Sequence, residues 1–98
     1  MRKIVVSDYI VEGNTYEVKR SLIVVLFHPD RKLDAFDTLK AQKIAQKIEA
    51  APESVLLEES EYEQLLEGIK VTRGFTRNDV ELIERVLNAP EVNLDPSA

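Results

Sequence analysis

His28 is the only histidine in the chain, so His28-Pro29-Asp30 is where acid–base chemistry near neutral pH could arise. Asp30 could orient the imidazole, and a serine distant in sequence, Ser7 or Ser60, could complete a nucleophilic triad. No nucleophile elbow or glycine-rich oxyanion loop accompanies them. The favoured reading is a turn that closes the apolar run Ser21–Phe27, with Asp30 bonding local backbone. Glu58, Glu59, Glu61, Glu63 and Glu67 gather oxygen ligands that a hard cation could use, but they lack the alternating spacing and glycine turn of a calcium loop. Glu61 and Glu63 fall near an expected helix N-terminus, where negative charge stabilises by ~0.3–1 kcal/mol. Paired-carboxylate glycosidase chemistry needs a larger, cleft-bearing scaffold. The sequence thus assigns no catalytic residue, metal ligand or cofactor, and a non-enzymatic protein is expected.

A different pattern points to binding. Lys40, Lys43 and Lys47 recur at i, i+3 and i+7, which places them on one helix face beside Phe36. These four residues are the candidate partner-binding set. The face could receive a phosphate or an acidic protein partner, or it could pair with the acidic stretch 58–67 of another copy. The plainer alternative is a solvated face with Phe36 packed under the lysine stems. A nucleic-acid-binding regulator using the same stripe is the second functional reading. The formal net charge of −5 demotes it, because an acidic domain lacks the global field behind non-specific DNA binding. That charge is segregated: residues 51–70 carry six glutamates against Lys70, while residues 31–50 hold five basic side chains against three acidic ones. Gly13, Gly68 and Gly74 are isolated, and no dinucleotide or P-loop pattern exists.

The elements that must position these residues follow from length and periodicity. Ninety-eight residues suit one domain, expected over 1–90 with a flexible tail over 91–98. The chain has no cysteine, hence no disulfide and no thiolate zinc site. Met1–Val6 lacks the apolar stretch of a signal peptide, and the longest apolar run falls far short of the ~20 residues that span a bilayer. A soluble cytoplasmic protein without membrane association is expected.

Residues 2–20 read as a β-hairpin, with runs Ile4–Glu12 and Thr15–Arg20 around a type II′ turn at Gly13-Asn14. That turn would pair Val11 with Tyr16 and Tyr9 with Val18. Ser21–Phe27 fits either a buried strand or a helical turn, and the break at Lys19-Arg20-Ser21 favours helix, with Ser21 as N-cap. A helix capped by Asp34 is expected over 35–50, with Leu33, Ala41, Ile44, Ala45 and Ile48 facing inward and Pro52 beyond its end. Ser54–Glu58 reads as a third strand added to the hairpin. Ser60 and Glu63 form a capping box for a helix that Gly74 closes. Thr76–Asp79 opens a last helix with Val80, Ile83, Val86 and Leu87 inward, stopped by Asn88 and Pro90. The expected fold class is α+β: an N-terminal antiparallel hairpin plus a short third strand, packed against three to four helices. Its core should draw on Val5, Tyr9, Val11, Val18, Leu22, Val25, Leu26, Ile44, Ile48, Leu65, Ile69, Ile83 and Leu87.

The succession SLIVVLFHPDRKL (21–33), KIAQKIEAA (43–51) and SVLLEESEYEQLLEGI (54–69) resembles small uncharacterised proteins of tailed-phage and prophage gene cassettes. The resemblance covers the middle half of the chain and brings no catalytic residues. It implies a small accessory protein, in a host cytoplasm, that acts by binding during virion assembly or host takeover.

Overall fold

The computed structural model of the chain describes residues 1–92. Its architecture is the expected α+β. The strands are β1 (Arg2–Val5), β2 (Tyr9–Val11), β3 (Asn14–Tyr16) and β4 (Ser54–Leu57). The helices are α1 (Val18–Leu26), α2 (Ala35–Ala50), α3 (Glu59–Val71) and α4 (Val80–Leu87), with short 3₁₀ turns at Pro29–Arg31 and Arg77–Asp79. The strands form two separate antiparallel pairs, β1 with β4 and β2 with β3.

That division corrects two expectations. The run Ile4–Glu12 is not one strand: it breaks at Val6–Asp8, and β4 joins β1 instead of extending the hairpin. The break also changes which residues face the core. Ile4 and Val6 are buried while Val5 is exposed, because β1 takes its register from β4, with Ile4 opposite Val55. The hairpin turn is Glu12-Gly13, both at positive φ (51° and 78°), a type I′ arrangement and not the type II′ turn at Gly13-Asn14. Tyr9 therefore faces Tyr16 and Val11 faces Asn14. Glu12 adopts a left-handed conformation unfavourable for a non-glycine residue. The compensation is visible in the tyrosines, whose rings stack with centroids 4.7 Å apart.

Ending β3 at Tyr16 releases Val18 to start α1. Val18, Leu22, Val25 and Leu26 then form a buried stripe at helical spacing. The helix begins three residues before Ser21, and its cap comes from elsewhere in the chain: Asp8 Oδ1 accepts from Val18 N at 3.0 Å. The opposite end is closed by Arg31, whose Nη1 donates to Leu26 O at 2.6 Å. In α2 the expected bounds and cap both hold, with Asp34 Oδ1 accepting from Asp37 N at 2.8 Å. Lys19 Nζ reaches the other end of α2 and donates to Glu49 O and Ala51 O at 3.2 and 2.5 Å. Two of the four helices, α1 and α2, thus have a terminal carbonyl satisfied by a basic side chain from outside the helix, and Arg2 Nη1 donates to Ala89 O, two residues past α4, at 3.0 Å.

The capping box of α3 lies two residues earlier than Ser60 and Glu63. Glu58 is the N-cap, and its N–H donates to Glu61 Oε1 at 2.9 Å. Helix α3 ends at Val71, so Gly74 lies in the connection beyond it, at φ +87°. Thr76 and Asp79 do cap the last segment, with Asp79 Oδ2 accepting from Thr76 N at 2.7 Å. Helix α4 turns Leu82 and Val86 inward and leaves Val80 and Leu87 exposed, a rotation from the expected phase. Two ties set that rotation: Tyr62 Oη donates to Val86 O at 2.5 Å, and Arg85 Nη1 donates to Ser7 O at 2.7 Å. The core joins Ile4, Val6 and Leu57 to the inward faces of all four helices. Glu91 bridges Arg2, and Val92 N donates to Met1 O at 2.7 Å. The rest of the expected tail, 93–98, lies outside the described residues.

Candidate functional site

Two rigid features position the candidate residues: the Asp34 cap that starts α2 and the apolar stripe Ala41, Ile44, Ala45 and Ile48 that seats it on the core. With that stripe inward, Phe36, Leu39, Lys40, Lys43 and Lys47 emerge on the outward side. Phe36 is 76% exposed and Leu39 63%, so the lysine stems do not cover the ring. Leu39 extends the apolar end of the face and escaped the sequence reading, which followed the lysines alone.

The three lysines are not equivalent. Lys47 Nζ lies 2.8 Å from Glu61 Oε1 and is held against α3. Among the described residues Lys40 and Lys43 have no ion-pair partner. They line a groove of about 220 Å³ between α2 and the first turns of α3, completed by Ile44, Ser60, Glu61 and Gln64. Gln64 Oε1 is buried there without a donor. The far wall continues into acidic surface, because Ser60, Glu63, Gln64 and Glu67 share one α3 face by their spacing. Glu59 lies 2.7 Å from the Arg2 guanidinium and Glu67 3.7 Å from that of Arg31. Glu63 has no ion-pair partner among the described residues. Among those residues no group of three or more His, Asp or Glu side chains is placed to hold a metal ion.

Of the residues weighed for histidine chemistry, only Ser60 lines this groove; His28, Asp30 and Ser7 do not. His28 caps the Pro29–Arg31 turn, its Nδ1 accepting from Asp30 N at 3.1 Å. Neither Ser7 nor Ser60 hydrogen-bonds to it.

A second cavity, also about 220 Å³, opens between α1 and the α3–α4 connection, with Tyr16, Val24, Phe75, Asp79 and Leu82 among its walls. Tyr16 Oη donates to Asp79 Oδ1 there. Burial, then the bond to the Asp79 carboxylate, pushes the Tyr16 phenol up to about 12. Burial also raises Tyr9, whose Oη donates to Asn78 O at 2.6 Å. The only sequence signal for this arrangement is the pair of tyrosines in the hairpin, and its partner Asp79 is 63 residues from Tyr16.

Fold and site together define a small α+β protein with one basic, apolar-tipped helix face. Among the described residues no helix is long and apolar enough to cross a membrane. No protein-family model, curated protein or solved structure matches the chain.

Proposed function

We propose that this chain is a non-enzymatic protein-interaction or assembly accessory protein that binds through the outward face of α2. The observation that carries the reading is the exposure of Phe36 and Leu39 directly beside two lysines, Lys40 and Lys43, that have no ion-pair partner among the described residues. An aromatic ring left in water next to exposed cations is the composition of an interface centre and its polar rim. The resemblance of segments 21–33, 43–51 and 54–69 to phage-cassette proteins supports an accessory role in virion assembly or host takeover, in a host cytoplasm. A nucleic-acid regulator is the weaker reading, because Glu61 already holds Lys47 and, among the described residues, two lysines of the stripe are left without an ion-pair partner.

The test is a Phe36→Ser, Lys40→Glu, Lys43→Glu variant compared with the parent chain in binding to the products of its neighbouring genes. The expected result is loss of binding by more than about tenfold with an unchanged melting transition. Retained binding in the folded variant overturns the assignment of this face. A salt-sensitive shift of duplex DNA by the parent, lost in the variant, would replace the protein partner with nucleic acid.

A further inference from the structure

We infer that the surface made by α2 and α3 docks a second copy of this chain, an assignment that rests on reading α2 as the interaction face. The two charge stripes are neighbours. Lys40 and Lys43 stand on one side of the groove, and Glu63 and Glu67 share the α3 face on the other side with Ser60 and Gln64. The charges without an ion-pair partner among the described residues, Lys40 and Lys43 against Glu63, are thus of opposite sign across one groove.

Such a surface is complementary to itself under one symmetry operation. A two-fold axis lying along the groove carries the lysine side of each copy onto the glutamate side of the other. An axis across the groove would set lysine on lysine. The first arrangement is isologous and closed, so it ends at a dimer. Phe36, which shares the lysine face by its spacing, would leave water at the same contact and supply apolar burial that the ion pairs alone lack.

The overall charge of −5 per chain opposes association weakly. At physiological ionic strength, charges more than about 8 Å apart are largely screened, whereas the facing stripes lie inside that range. Local complementarity therefore decides the outcome.

The experiment is a charge swap read by sedimentation velocity on the full chain, with thermal melts confirming that each variant is folded. The parent, 11.2 kDa, should sediment as a dimer at micromolar concentration. Lys40→Glu with Lys43→Glu, or Glu63→Lys alone, should each weaken self-association by about tenfold or more. An equimolar mixture of Lys43→Glu and Glu63→Lys chains should recover much of the dimer, because both facing pairs between positions 43 and 63 are again of opposite sign. A single chain carrying both changes should recover it as well. A parent monomeric at every concentration, a dimer indifferent to the reversals, or a mixture that stays dissociated would each overturn the inference. If the parent is monomeric yet the α2 variant loses a different partner, the second copy is refuted and the α2 face stands.

Discussion

Arg31 shows how far a single side chain departs from its residue type. Its side chain is only 2% exposed, yet no stretch of apolar sequence announces it. The Leu26 carbonyl accepts from its Nη1, Glu67 stands 3.7 Å from its Nε, and Nε itself lacks a hydrogen-bond partner. Arg31→Ala would leave that buried carbonyl unsatisfied and open a void, so a loss of ~2–4 kcal/mol in a urea denaturation curve is expected. Tyr16 makes a prediction in pH. Its phenol is held at about 12 in the folded chain, above the ordinary ~10 of the unfolded one. The folded state therefore keeps its proton longer, and the stability this confers is complete below pH ~10 and lost as pH rises toward ~12. Tyr16→Phe should lose less stability than the parent between pH ~9 and ~11.5. Tyr9 and Tyr62, both also raised, keep some alkaline loss in the variant. Equal losses in the two proteins would contradict the Tyr16–Asp79 assignment.

Among the elements, α1 and α3 are joined by their backbones. A Cβ on Gly68 would fall inside contact distance of the Val25 carbonyl oxygen and 2.9 Å from its carbonyl carbon. Alanine at a helical position normally adds up to ~1 kcal/mol over glycine. Here the neighbour is main chain and cannot rotate away, so overpacking by ~1–3 kcal/mol outweighs propensity. Gly68→Ala should lower the midpoint of thermal unfolding, and a raised midpoint would show that the two helices can separate without cost. Periodicity cannot show this requirement, because the glycine's role is set by a residue 43 positions earlier. The same limit explains the capping errors. Asp34 caps α2 from the adjacent position and is legible; Asp8 caps α1 from ten residues away and is not.

For the molecule as a whole, α1 is the hub. Leu26 is fully buried within a core that runs from Ile4 to Ala89 in sequence and takes in all four helices. Leu26→Ala should cost ~2–5 kcal/mol, and a loss below ~1 kcal/mol would contradict that position. The outward face of α2 should behave in the opposite way. Phe36→Ser removes little buried contact, so monomer stability should stay within ~0.5 kcal/mol of the parent. The fold thus leaves this apolar side chain free for a contact beyond itself.

The sequence by itself determined the α+β class, the bounds and cap of α2 and the lysine stripe, and it favoured helix over strand for Ser21–Phe27 without deciding between them. Each rests on local periodicity, neighbouring caps or composition, which act within a few residues. Tertiary structure alone decided the splitting of the strands into two pairs, the exposure of Val5 and Leu87, the burial of Arg31 and the pairing of Tyr16 with Asp79. It also decided which lysines remain free, since Lys47 meets Glu61 only when α3 lies beside α2. These outcomes depend on contacts between distant segments, whose energies exceed the local preferences they override.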